Sequence, residues 1–158
     1  MKRIKKTLLV MLFIILIAFI VIQFIRPARN ESGQVLETDI LKTFNVPGNV
    51  STLLKNACFD CHSNNTNYPW YSNIQPVEWL LAEDIKDAKA ELNFSEFGSL
   101  SSRRQISKLK NVARRIKDGT MPLPMYQFMH SEARLTEDER QLLVEWVEST
   151  RDSISLNR

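Results

Sequence analysis

Thr7–Ile25 reads T-L-L-V-M-L-F-I-I-L-I-A-F-I-V-I-Q-F-I, nineteen residues without a charge. Away from water a run of this kind can satisfy its own backbone only as a helix. As a helix it spans about 28 Å, close to the hydrocarbon thickness of a bilayer. A removable export signal would hold an apolar stretch of roughly 7–15 residues ending in a small-x-small site. Here the run is longer, and Ala18 is its only small residue. The expectation is therefore an uncleaved, single-pass anchor over residues 1–26, with residues 7–25 in the membrane. Met1–Lys6 (M-K-R-I-K-K) carries four positive charges, against Arg26 and Arg29 on the far side. By the positive-inside rule the N-terminus stays in the cytoplasm and the bulk of the chain lies on the periplasmic face of the inner membrane.

Charge narrows what that bulk can do. Residues 1–30 hold six Lys or Arg and no acid, whereas residues 31–158 hold 15 bases and 18 acids. A nucleic-acid-binding domain would show a general basic excess, so none is expected.

The chain has two cysteines, and both fall in Cys58-Phe59-Asp60-Cys61-His62. C-x-x-C-H is the pattern of covalent haem attachment. The two-residue spacer sets two sulfurs at the separation of the haem vinyl groups. The histidine that follows at once is placed to hold the iron, whose remaining position takes a methionine or a second histidine. Rival readings are a disulfide, a thioredoxin-like pair, or a zinc shell of Cys58, Cys61, His62 and His130. A redox pair wants a βαβ context that is missing, and adjacent Cys61 and His62 suit tetrahedral zinc poorly. The expected cofactor is one covalently bound haem c.

After a polar linker over residues 27–35, the pattern is helical throughout. Glu37–Phe44 reads as a short helix, broken by Val46-Pro47-Gly48-Asn49. Val50, Leu53, Leu54 and Ala57 recur at helical spacing and deliver the cysteines. Ser63–Tyr68 is loop by composition. Pro76 can open the next helix. Val77, Leu81, Ile85, Ala88 and Leu92 form a core-facing stripe along it. Ser101 or Ser102 can cap a helix with Ile106, Leu109, Val112, Ala113 and Ile116 on one side. Arg103, Arg104, Lys108, Lys110, Arg114, Arg115 and Lys117 lie on the other, as a solvated surface or as a docking face for an acidic redox partner. Asp118-Gly119-Thr120 ends it. Pro122 and Pro124 make Met121–His130 a non-helical loop. Thr136 and Glu139 form a capping box for the last helix, which buries Leu142, Leu143, Trp146 and Val147. Leu53, Leu54 and Trp146 read as core. Residues 151–158 are a polar tail expected to fray. No strand pattern appears, so the fold class is all-α.

C58-F-D-C-H62-S-N, Y68-P-W-Y, Q75-P-V-E-W79, N93-F, G119-T-M-P122, Y126, H130-S-E-A-R-L-T and W146 together resemble the small haem-binding domain family of bacterial membrane-anchored monohaem c-type cytochromes. The resemblance covers about residues 36–150. It implies haem binding and a cytochrome c-like helical domain. In the general cytochrome c pattern a Met-Pro dipeptide of the distal loop supplies the sixth ligand, which Met121-Pro122 matches; His130, Met125 and Met129 are the alternatives. Trp70, Tyr71, Trp79 and Tyr126 are candidates for the haem pocket wall or for propionate hydrogen bonds, or else ordinary core. The expected function is a membrane-tethered electron carrier, not an enzyme, serving redox partner proteins outside the cytoplasmic membrane. The alternatives are a haem peroxidase or gas sensor with an open sixth site, and a haem-bearing module of a larger respiratory complex.

Overall fold

The computed structural model describes residues 2–156. Met1 of the expected anchor, and Asn157 and Arg158 of the expected tail, lie outside the described residues. Every regular element among the described residues is helical, and the fold is all-α with one long apolar helix at its N-terminal end. The one trace of sheet is an isolated antiparallel bridge between Glu31 and Asn65.

Helix α1 (Lys2–Ile22) contains a 20-residue span, Arg3–Ile22, that is long and apolar enough to cross a membrane. It closes at Ile22, earlier than the expected Ile25, and the amides of Gln23, Phe24 and Ile25 tighten into i→i+3 turns on Ile20, Val21 and Ile22. By packing the chain divides into two units. One holds residues 1–29 and 68–84, and the other holds residues 30–67 and 85–158. Residues 68–84, expected within the haem domain, thus cluster with the anchor.

The second unit contains the core. Helix α2 (Ile40–Thr43) starts at Asp39, whose side chain accepts from the Leu41 amide at 2.9 Å. Helix α3 (Gly48–Leu54) runs without a break through a π-helical turn (Lys55–Phe59) into the short helix α4 (Asp60–His62). Helix α5 is Val77–Glu91, α6 is Ser102–Lys117 and α8 is Glu137–Leu156. Helices α6 and α8 pack on each other through Leu109, Ala113 and Ile116 and through Leu143, Val144 and Val147, all buried. Val50, Leu53 and Leu54 of α3 join the same cluster, with Ile40 and the phenylalanines Phe94 and Phe97 of a 3₁₀ turn (Phe94–Ser99). Each large side chain fully buried in this way contributes roughly 1.5–3 kcal/mol.

The apolar spacing of α3, α6 and α8 predicts these faces correctly. The Thr136–Glu139 box is formed: the Thr136 amide donates to Glu139 Oε2 at 2.8 Å, and the Glu139 amide to Thr136 Oγ1 at 3.3 Å. Ser101 is the residue that precedes α6, and Gly119, at φ +65°, takes the left-handed conformation that ends it. Three readings need correction. The α5 stripe is mostly half-buried: of its members only Ile85 is buried, and Val77 is exposed. Pro124–Met129 is a helix, α7, because Pro124 sits at its first turn, where a missing amide hydrogen costs nothing. Residues 151–156 do not fray but extend α8, since Thr150 and Ile154 continue its buried face.

The basic side of α6 stands as expected, with Arg103, Arg104, Lys110, Arg114 and Arg115 exposed. Lys117 pairs with Glu148 at 2.7 Å, and Lys108 approaches Glu91 at 3.8 Å.

Gly98 marks the tightest approach in the core. Its amide donates to the Thr38 carbonyl at 2.7 Å. An added Cβ would fall 2.5 Å from Thr43 Oγ1 and 3.0 Å from the Thr38 oxygen. Gly98→Ala should therefore destabilise the domain by about 1–3 kcal/mol, the usual cost of overpacking. Urea unfolding measures it; an unchanged midpoint would show that α2 shifts away freely.

Candidate haem-binding site

The helical run from α3 to α4 carries Cys58, Cys61 and His62 on successive turns. The π turn places Cys58, and the extended backbone of Ser63 (φ −132°, ψ 176°) stops the helix right after His62. Single π turns inside α-helices recur where side chains must be re-aimed. Cys58 and Cys61 are half-buried and not joined as a disulfide. Burial, with the Cys61 sulfur next, pushes the Cys58 thiol up to about 12.

His62 is fixed by backbone. Its Nδ1 lies 3.1 Å from the carbonyl oxygen of Ala88 and 3.0 Å from that of Leu92, at the C-terminal end of α5. Carbonyls only accept, so Nδ1 carries the hydrogen and Nε2 keeps its lone pair. Burial pushes the imidazole below its usual pKa, against the upward pull of the two carbonyls. Neutral imidazole whose Nδ1–H is held by acceptors is the form that ligates a metal. Phe94 supports this arrangement. It is buried, stacks on Phe59 at 5.4 Å and meets the His62 ring edge-on at 6.2 Å.

The residues after His62 form a loop held by side-chain amides and hydroxyls. Asn93 Nδ2 donates to Asn64 Oδ1 at 2.9 Å, and the Asn64 amide donates to Ser95 Oγ at 3.1 Å. The expected linker is pinned here as well. Asn30 Nδ2 donates to the Ser63 carbonyl at 2.8 Å and to Thr66 Oγ1 at 2.9 Å, while Lys89 Nζ donates to Asn30 Oδ1 at 2.6 Å. Asp60, between the two cysteines, accepts from the Asn67 amide at 3.0 Å. Its other carboxylate oxygen accepts from the Tyr126 hydroxyl at 2.7 Å.

That last bond joins α7 to the cysteine segment. Tyr126 also stacks on His130, 4.2 Å between centroids and 15° apart, and His130 Nδ1 lies 3.2 Å from Glu132 Oε1. Burial and the Asp60 carboxylate hold the Tyr126 phenol well above its ordinary pKa, so it stays a donor. Tyr126 and His130 share one side of α7. Met125 and Phe128 lie on its other side and are 74% and 73% exposed, and Met129 is exposed too. Met121 precedes the helix and is half-buried, and its amide reaches the Arg115 carbonyl at the end of α6 at 3.3 Å. Pro122 beside it is buried.

The structure thus carries Cys58, Cys61 and His62 on one helical run, to which Tyr126 is hydrogen-bonded through Asp60. Trp70, Tyr71 and Trp79 belong to the unit that holds the anchor, and the Trp79 indole N–H donates to the Ile25 carbonyl at 2.8 Å. Among the described residues no three His, Cys, Asp or Glu side chains converge as a metal-ion cluster does, so the zinc shell is not assembled. The residues that sequence reasoning missed are Asp60, Phe94 and the carbonyls of Ala88 and Leu92. Asp60 and Phe94 left a signal, as parts of Cys58–His62 and of Asn93-Phe94.

The sequence pattern of a haem-binding domain family matches residues 17–149. The chain belongs to this haem-binding family. No curated protein and no solved structure matches it. The donor set fits the group that the family binds: paired thiols and an imidazole with Nε2 open, on one rigid helical run.

Tyr126→Phe keeps the ring stack on His130 and removes the donor to Asp60. It should lower stability by about 1.5–3 kcal/mol, the range for a hydrogen bond to a charged group. Chemical denaturation of the variant beside the parent checks this.

Proposed function

We propose that this protein is a membrane-tethered monohaem c-type cytochrome that passes electrons between partners outside the cytoplasmic membrane. The observation that carries the reading is His62: it follows Cys-x-x-Cys directly, and its Nδ1–H is committed to two carbonyls, leaving Nε2 as the ligating atom. Bound haem supplies a one-electron Fe(III)/Fe(II) couple. The Cys58 and Cys61 sulfurs would each add across a vinyl group, the thiol hydrogen going to the neighbouring vinyl carbon. His62 and Met121 would hold the iron.

The Met121-Pro122 dipeptide favours Met121 among the methionines. Met125 lies on the side of α7 away from Tyr126, whose hydroxyl faces the cysteine segment. His130 is committed by stacking and by Glu132. A soft thioether and a fixed imidazole in both oxidation states keep reorganisation small, which suits a carrier rather than an enzyme. The lysines and arginine at the N-terminal end of α1 would stay in the cytoplasm and the haem domain outside, on the side where covalent haem attachment takes place.

Denaturing electrophoresis of protein from cells competent in cytochrome c maturation should give a haem-staining band, lost or weakened in Cys58→Ala and Cys61→Ala. A colourless parent band would refute covalent attachment. The oxidised protein should show a weak far-red sulfur-to-iron absorption band that Met121→Ala abolishes. Survival of that band in Met121→Ala, with loss in Met125→Ala or Met129→Ala, would reassign the ligand. Rapid carbon monoxide binding by the reduced parent would favour the sensor or peroxidase reading.

A further inference from the structure

The stretch Tyr68–Leu80 is fastened to the chain that leaves α1. Gln23 and Gln75 exchange hydrogen bonds: Gln75 N donates to Gln23 Oε1 at 2.9 Å, and Gln23 Nε2 to the Gln75 carbonyl at 3.3 Å. Gln75 Nε2 also donates to the Ile25 carbonyl at 3.0 Å and to Glu78 Oε2 at 2.6 Å, and Trp79 donates to the same Ile25 oxygen. Arg29 donates to Asn73 Oδ1 and sits 4.7 Å over the Tyr68 ring. Gln75 and Glu78 are buried in making these bonds, at 1% and 4% exposure. The polar side of the stretch is thus spent on the anchor. Its large apolar side chains are bare: Trp70 is 75% exposed and Leu80 66%, with Ile74 and Val77 also exposed, and Phe24 of the chain leaving α1 is 83% exposed.

We propose that Trp70, Ile74, Val77 and Leu80, with Phe24, form a seat in the headgroup layer of the bilayer that α1 crosses. Residues 23–25 follow directly on a 20-residue span and so lie at the depth where hydrocarbon gives way to headgroups. Whatever is hydrogen-bonded to them lies at that depth too. Tryptophan and tyrosine concentrate in this layer, where the ring is apolar and its edge stays wet. Arg26 and Arg29 flank the seat, and their guanidinium groups reach phosphates while their stems lie along apolar surface. The seat makes the anchor a two-part attachment, a crossing helix and a lateral foot. The foot restrains the tilt and rotation that a lone helix permits.

This inference rests on the membrane anchor of the proposed function and not on haem ligation. The test uses the full, haem-loaded chain in phosphatidylcholine–phosphatidylglycerol vesicles doped with a phospholipid carrying a diazirine near its headgroup. After illumination, labelled peptides are mapped by mass spectrometry. Label is expected in residues 68–80 as well as α1. Trp70→Ser combined with Leu80→Ser should lose the label in 68–80 while keeping that in α1 and an unchanged haem spectrum. Bare 68–80 beside a labelled α1 overturns the seat, as does undiminished label in the double variant. If 68–80 stays bare in vesicles yet is shielded from oxidative footprinting in native membranes, a protein partner covers it and the lipid seat is wrong. An α1 that takes no label overturns the anchor itself.

Discussion

A helix end leaves carbonyl oxygens with lone pairs to spare, and at the end of α5 those of Ala88 and Leu92 are met by the Nδ1–H of His62. One contact does three things. It satisfies part of the helix terminus. It selects the tautomer in which Nε2 can ligate. It also ties the end of α5 to the helical run from α3 to α4, whose other face is buried in the core. The Ala88 oxygen accepts from the Leu92 amide as well, at 2.8 Å, so the imidazole meets backbone that is already rigid. Phe94 then holds the ring edge-on, and Asp60 locks the following turn. The chain therefore fixes a neutral, oriented imidazole beside two thiols by packing and hydrogen bonds of its own.

What could be read from the sequence followed from periodicity and from short-range capping chemistry. Leu109, Ala113 and Ile116 repeat at helical spacing, and the structure buries all three. Thr136 and Glu139 cap locally, and the box forms. Cys58, Cys61 and His62 are legible because covalent spacing is the signal. Helix α7 was hidden, since two prolines argue against a helix unless one of them is its first residue. The acceptors of His62 were hidden for a different reason. Every residue has a carbonyl, so nothing in the sequence marks Ala88 or Leu92 as special. Gly98 was likewise invisible, because its need arises from Thr38 and Thr43, far away in sequence.

Trp70, Tyr71 and Trp79 fall in the unit that holds the anchor. They follow the haem motif closely, which invites a pocket reading. The stretch that holds them is hydrogen-bonded to residues 23–29, which precede the motif, through Trp79, Gln75 and Asn73. The linker shows the reverse: Asn30, which reads as a polar spacer, has a fixed place through Ser63, Thr66 and Lys89. Asparagines and hydroxyls bury little apolar surface, yet they can fix a loop where no core reaches it.

The basic side of α6 gives the protein a polarity that its net charge conceals. Seven of the 15 bases in residues 31–158 lie on this one helix, which has no acid. The rest of that stretch carries eight bases against 18 acids. Near neutrality such a chain is an electric dipole more than an ion. A charged surface turns it before touching it, over a range of about 10 Å at 0.1 M salt. Chromatographic resins of either sign can retain it, each gripping a different side, and its isoelectric point is a poor guide to which of them will.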